Sequence, residues 1–235
     1  MKIEVIASGS SGNCYKVSNE DTALLIECGI PYKKIQEALN FKVTDIDGVL
    51  VSHEHVDHSK ACKNLIKAGV DLYMTKGTKE ALNLDSHRVK TFEKDGYFTY
   101  SWVDIGSFKI KTFETVHDAK EPVGFYILNT KTDERLLFIT DTMLVKSRFR
   151  KIHYLMIEVN YDKKTINDNP GLNDELRERI KKNHMSLETA IDFLNKCGLV
   201  RLKKIYVMHL SDHNSNAELI KKSLQELTGV PIEIC

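Results

Sequence analysis

No apolar stretch of this 235-residue chain approaches the ~20 residues that a membrane-spanning helix needs. No C-x-x-C pair is present. The five cysteines, Cys14, Cys28, Cys62, Cys197 and Cys235, are odd in number and far apart. That argues against a disulfide framework and predicts reduced thiols in a cytoplasmic protein. Net charge is almost absent: 34 basic residues face 33 acidic ones, a formal +1. Any nucleic-acid contact must therefore come from local basic patches and not from a global field. No Gly/Pro/Ser tract divides the chain, and no internal repeat or low-complexity segment is visible. The opening Met1-Lys2-Ile3-Glu4-Val5-Ile6 lacks a cleavage-type flank and reads as a first strand, not a signal peptide. These absences leave one soluble globular domain over residues 1–235. Its hydrophobic content of 42% and charged content of 29% are ordinary, and its length suffices for a sizeable core.

Strand-like apolar runs recur at Ile3–Ala7, Ala23–Glu27, Val49–Val51, Phe108–Thr115, Val123–Leu128, Leu136–Thr140, Tyr154–Val159 and Lys204–His209. Phe108–Thr115 alternates apolar and polar residues, as a half-buried strand does. Leu136–Ile139 and Leu155–Ile157 are continuously apolar, as strands covered on both faces are. Helical periodicity marks Tyr32–Leu39, Lys60–Ala68, Ser186–Cys197 and Ala217–Leu227, with Ser186 and Thr189 offering an N-terminal cap. The polar stretch Lys163–Asn173 reads as a long mobile loop. Strands early and helices interspersed late predict an α/β (α+β) fold of two face-to-face sheets with helices outside.

Against this ordinary background, His53-Glu54-His55-Val56-Asp57-His58 stands out. Three imidazoles and a carboxylate in six residues can bind metal. Alternate residues of an extended chain project together, so His53 and His55 can share one ion. A tight turn can then carry Asp57 and His58 to a second. Neutral imidazole and carboxylate suit zinc, manganese or iron. A solvated, histidine-rich turn is the competing reading. Further along, His117, Asp141, Glu158 and His209 each fall at or just beyond a strand end, where loops carry chemistry on a rigid scaffold.

The H-x-H-x-D-H motif, followed in order by His117, Asp141 and His209, resembles the metallo-β-lactamase superfamily over essentially the whole chain. The resemblance implies a four-layer αββα sandwich with a dinuclear metal site at one edge. It implies His53, His55 and His117 on one divalent ion, Asp57, His58 and His209 on the other, and Asp141 bridging. Three late motifs look like the ribonuclease Z branch: Ile157-Glu158-Val159-Asn160, Asn183-His184-Met185-Ser186 and Met208-His209-Leu210-Ser211. The opening Ala7-Ser8-Gly9-Ser10-Ser11-Gly12-Asn13-Cys14 and Glu121-Pro122-Val123-Gly124 resemble more closely the WalJ/YycJ-type group of small bacterial nucleases. The family usually has Asp where this chain has Glu27. That carboxylate normally braces the metal-binding loop from behind. The short span from Asp141 to Glu158 leaves no room for an inserted β-CASP domain.

The expected activity is that of a metal-dependent phosphodiesterase, a DNA exonuclease by preference, with RNA as the alternative substrate. Two ions about 3.5–4 Å apart can share a water, lower its pKa and deliver hydroxide to phosphorus. Asp57, His184 and Glu158 are the candidate catalytic residues. His184 could donate to a phosphate or leaving oxygen, with Glu158 holding its tautomer. Ser10, Ser11 and Asn13 could form an anion nest, and Lys181 and Lys182 could hold a phosphate backbone. Two other readings compete: a carbonyl hydrolase acting on thioesters, lactones or β-lactams, and a non-enzymatic, metal-stabilised regulatory protein.

Overall fold

A computed structural model describes residues 1–96 and 100–235. The chain forms two compact units, one of residues Met1–Glu114 and Ala119–Asp133, the other of Thr115–Asp118 and Glu134–Cys235.

The first unit contains a six-stranded sheet in the order β1-β2-β3-β4-β5-β6. The strands are β1 Lys2–Ala7, β2 Cys14–Ser18, β3 Ala23–Ile26, β4 Gly48–Leu50, β5 Leu72–Met74 and β6 Val89–Thr91. The first three run antiparallel, and β3 to β6 run parallel. Helices α1 Tyr32–Ala38, α2 Val56–Ser59, α3 Cys62–Lys67 and α4 Lys76–Ala81 lie between the parallel strands. Alternation decides what is buried where. Leu25 of β3 and Val49 and Val51 at β4 share one core cluster with Ile35 of α1 and Leu65 of α3. The same unit contains an antiparallel group, β7 Val103–Ile105, β8 Phe108–Glu114 and β9 Val123–Asn129. Along β8, Phe108 and Ile110 are buried while Lys109 is exposed, the alternation expected of a half-buried strand.

The second unit is built on four parallel strands, β10 Arg135–Ile139, β11 Tyr154–Glu158, β12 Lys204–Met208 and β13 Ile232–Ile234, ordered β13-β12-β11-β10. Leu136–Ile139 and Leu155–Ile157 are buried throughout, as their unbroken apolar runs imply. Helices α5 Lys163–Asp168, α6 Asp174–Asn183, α7 Leu187–Asn195 and α8 Ala217–Thr228 complete it. Ser186 caps α7 by accepting from the Thr189 N–H, the cap its sequence suggests. Asn216 caps α8, which ends at Gly229 in the left-handed region (φ 70°).

Two expectations need correction. Lys163–Asn173 is not a long loop: α5 occupies its first half, because Asp162 accepts from the Thr165 N–H and Ile166 is buried. The helix expected over Lys60–Ala68 is α3 alone, preceded by the separate turn α2. The Ala61 N–H between them is drawn to the Cys28 carbonyl at 2.9 Å.

Candidate metal centre

In the first unit, parallel pairing aligns the carboxyl ends of β3 and β4, with Ile26 opposite Leu50. Residues just beyond those ends therefore share one edge. Glu27 follows β3 with a left-handed backbone (φ 63°), and its N–H still bonds the Leu50 carbonyl at 2.8 Å. That turn buries its carboxylate completely. The carboxylate oxygens accept from the Ser52 N–H at 3.2 and 3.4 Å, and one lies 3.5 Å from His58 Nδ1. Burial raises the Glu27 pKa, and His58 and Ser52 work against that rise. The longer carboxylate thus reaches the loop that the sequence expected it to brace.

The hexapeptide leaves β4 and turns into α2. His53 Nε2 and His55 Nδ1 are 3.1 Å apart, and the rings of His53 and His58 are 4.2 Å apart between centroids. His58 Nε2 is 3.3 Å from Asp57 Oδ2. The four side chains converge, as alternate projection followed by a turn requires. The Ser52 hydroxyl bonds His53 Nδ1 at 2.8 Å and fixes that ring.

The backbone of this loop is clamped from two sides. The Asn13 N–H donates to the Asp57 carbonyl at 2.8 Å, and its side-chain amide adds a second bond at 3.3 Å. The Cys28 N–H donates to the His58 carbonyl at 2.8 Å. Gly29 lies so close that an added Cβ would stand 1.6 Å from the Asp57 oxygen. Asn13 is therefore spent inside the protein: it is fully buried, and Tyr15 donates to its Oδ1 at 3.1 Å. Its place is that of a loop brace and not of an open anion nest. Ser10 and Ser11 are exposed on the same loop.

In the second unit, in-register parallel pairing sets Ile139 opposite Ile157 and Glu158 opposite Met208. The carboxyl ends of three strands thus present Asp141, Glu158 and His209 at one edge, the usual ligand edge of parallel sheets. Asp141 (φ 38°) and His209 (φ 53°) both turn through the left-handed region, strain of the kind found at functional positions. His209 Nδ1 lies 3.1 Å from Asp141 Oδ1 and 3.1 Å from Glu158 Oε1. His117 Nε2 lies 3.7 Å from Asp141 Oδ2. Its Nδ1 is 3.0 Å from the Asn183 carbonyl, which makes Nδ1 the protonated nitrogen and leaves Nε2 as the electron-pair donor.

His184 follows α6 and precedes the Ser186 cap, so it sits on a short link between two helices. Its Nδ1 donates to Glu158 Oε1 at 2.6 Å. The other Glu158 oxygen accepts from the N–H groups of Thr142 at 3.0 Å and Met185 at 3.4 Å. Burial favours neutrality in both partners, but their attraction wins: the His184 pKa is raised and the Glu158 pKa lowered. The His117 pKa is lowered, chiefly by burial. Ligand-type atoms of Asp141, Glu158, His184 and His209 all lie within 4.8 Å of one another.

Residues not singled out as site residues from the sequence also take part. Asn160 donates its side-chain amide to the His209 carbonyl at 2.9 Å and accepts from the Ser211 N–H at 3.0 Å. Asn183 and Thr142 orient His117 and Glu158. Asn160 lies within the Glu158 motif, and Asn183 is adjacent to His184, so position in the motif is the only sequence signal for either. Lys181 and Lys182 occupy the last turn of α6, and the Lys181 amine is 3.3 Å from Glu178. His213 is exposed.

A model of the β-lactamase superfamily domain matches residues 23–210. Among curated proteins, the chain is 32% identical to the exodeoxyribonuclease WalJ of Streptococcus pneumoniae, over 93% of this chain and 84% of that one. It is 29% identical to the exodeoxyribonuclease YycJ of Bacillus anthracis, over 97% and 89% respectively. The metallo-β-lactamase fold protein YhfI of Bacillus subtilis superposes with a TM-score of 0.72 at 17% identity, over 99% of this chain and 95% of that one. The short form of human tRNase Z gives 0.68 at 13% identity, over 100% and 96%. The α/β class expected from the sequence is the fold of these neighbours.

Proposed function

Because the chain belongs to the β-lactamase superfamily, we propose that its two clusters act together as a metal-dependent phosphodiesterase on nucleic acid. DNA is the favoured substrate and exonucleolytic cleavage the favoured mode. The names of the WalJ and YycJ relatives support both preferences. On this reading residues 1–235 form a single metallo-β-lactamase-like domain without a β-CASP insertion. Five free thiols support a reducing, cytoplasmic setting, and among the described residues no helix is long and apolar enough to cross a membrane.

The donor set fits divalent metal. Two buried carboxylates, Asp141 and Glu158, both approach His209, and three imidazoles crowd within the hexapeptide. Such a concentration of nitrogen and anionic oxygen donors suits zinc, manganese or iron. His53, His55 and His117 would hold one ion, and Asp57, His58 and His209 the other, with Asp141 shared. Bound metal supplies Lewis acidity and a lowered pKa for water.

The observation that carries the phosphodiesterase reading is the Glu158–His184 pair. Glu158 is fully buried, fixed by two backbone N–H groups, and receives Nδ1–H of a partly exposed imidazole. It therefore sets the tautomer and raises the pKa of a group that can release a proton from its own site. Such an imidazole can steady the phosphoryl charge or protonate the departing oxygen. Attack on a carbonyl carbon needs no such phosphate partner. Ser10 and Ser11 are proposed to meet substrate phosphate, with Lys181 and Lys182 along the backbone.

Purified protein loaded with zinc or manganese should hydrolyse end-labelled DNA and a chromogenic phosphodiester. A thioester and a β-lactam assayed alongside should be inert. Ready turnover of the carbonyl substrates without any phosphodiester cleavage would move the assignment to the carbonyl-hydrolase class.

A further inference from the structure

A cavity of about 730 Å³ opens in the second unit, lined by segments that follow Asp141 and His184 in the chain. One wall is the segment after Asp141, from Leu144 to Arg148, and the other is one face of α7 along its whole length, from Glu188 to Lys196, with Lys163. Both walls are anchored on Glu158. The Thr142 N–H donates to Glu158, and the Thr142 hydroxyl donates to the Leu144 carbonyl at 2.7 Å. On the other side Met185 donates to Glu158, and Ser186 caps α7. The cavity therefore begins three residues beyond Asp141 and four beyond His184.

Its chemistry is divided. Leu144, Val145 and the buried ring of Phe193 give it an apolar lining, whereas Lys146, Arg148 and Lys163 are exposed. Two carboxylates also line it, and only Asp192 is neutralised by an ion pair among the described residues; Glu188 keeps its charge, with Oε2 buried and without a hydrogen-bond partner. Asp192 pairs with Lys196 at 2.9 Å, and Glu188 accepts from the Lys163 N–H at 3.3 Å. Lys146, Arg148 and the Lys163 amine form no ion pair among the described residues. Three unpaired cations against the one unpaired carboxylate of Glu188 leave the rim of this partly apolar hollow net positive, which matches a nucleotide unit with phosphate on the cations and base against the apolar side chains.

We infer that this cavity receives the substrate strand next to the scissile phosphodiester, with Lys146, Arg148 and Lys163 contacting its phosphates. The inference rests on the phosphodiesterase reading. It makes these residues determinants of chain-length preference, since a substrate with one phosphate cannot reach them.

The test uses full-length protein and the double variant Arg148→Glu/Lys163→Glu. Binding of a fluorescein-labelled oligothymidylate of about 20 nucleotides is followed by anisotropy across a salt series. The variant should bind about 10-fold more weakly or worse, and lose roughly 1.4 from its log–log salt slope, about 0.7 for each phosphate contact. Its hydrolysis of bis(p-nitrophenyl) phosphate should match wild type, while KM for the oligonucleotide rises. Lys146→Glu should show the same pattern more weakly. Unchanged oligonucleotide affinity and salt slope in both variants overturn the inference, as does an equal loss on the small ester. A wild type inactive on every phosphodiester would sink the functional reading instead, while anisotropy still reports on the cavity.

Discussion

Gly29→Ala tests how the metal loop is held. A Cβ at this position would stand 1.6 Å from the Asp57 oxygen, 2.0 Å from its carbonyl carbon and 2.6 Å from His58 N. These are backbone atoms, so no side-chain rotation relieves the clash. Withdrawing the oxygen to 3.0 Å requires about 1.4 Å of movement, the difference between 3.0 and 1.6. The same carbonyl is gripped by Asn13 at 2.8 Å, and the next one by Cys28 at 2.8 Å. A shift of that size breaks one or both bonds. Overpacking of a dense interior costs about 1–3 kcal/mol, and each stranded buried donor costs about 1–3 kcal/mol more. A loss near 3 kcal/mol lowers Tm by roughly 6–12 °C in a protein of this size. Displacing Asp57 and His58 by about an ångström should also reduce turnover by roughly 10²-fold. Calorimetry and circular dichroism read the stability, elemental analysis after gel filtration reads the metal held by the displaced loop, and hydrolysis of bis(p-nitrophenyl) phosphate reads the turnover. Gly171→Ala is the control, because its Cβ would meet only Asn169 Oδ1 at an ordinary 3.4 Å. A Gly29→Ala protein with wild-type Tm and metal content would refute the clamp.

Glu27→Ala should weaken metal binding by about 10–100-fold, because it removes the acceptor that holds Ser52 and His58; Glu27→Asp should recover most of it, and competitive chelator titration measures both. Asn13→Ala keeps the backbone N–H to Asp57 and loses the side-chain bonds to Asp57, Tyr15 and Gly9 without forcing the backbone apart, so its Tm should fall less than that of Gly29→Ala. His184→Ala should retain bound metal and lose phosphodiesterase turnover by about 10²–10⁴-fold, read by elemental analysis beside steady-state kinetics; full activity would remove His184 from the mechanism. Asn160→Ala frees the His209 carbonyl, and should weaken metal retention without unfolding the protein, as seen by dialysis against chelator.

What was legible in the sequence follows from length of pattern. The eight apolar runs correspond to β1, β3, β4, β8, β9, β10, β11 and β12; all but the three-residue run at β4 have five or more residues, whereas β2 Cys14–Ser18, with Lys16 and Ser18 breaking its apolar character, does not read as a run. β5, β6, β7 and β13 have three residues each, too few to show a period. They exist because a neighbouring strand offers its edge. α5 has one buried apolar residue, Ile166, and depends on the Asp162 cap and the packing around it. The site divides the same way. The ligand-type residues are legible jointly, because three imidazoles and a carboxylate fall within six residues and His117, Asp141 and His209 follow at strand ends. Their supports are not, because they act through backbone atoms. Asn13 in a Gly/Ser turn reads as an anion nest, and only the tertiary bond to Asp57 makes it a clamp. The left-handed turns at Glu27, Asp141 and His209 are likewise invisible in a sequence, since nothing in the residue type demands them.

The most direct measurement titrates metal-free protein with zinc or manganese, following hydrolysis of bis(p-nitrophenyl) phosphate and of end-labelled DNA. Activity should be absent from folded apoprotein and should reach its plateau at about two equivalents per chain, as a shared two-ion centre requires. Full turnover by folded, metal-free protein would contradict the account, and so would a loaded protein that cleaves no phosphodiester.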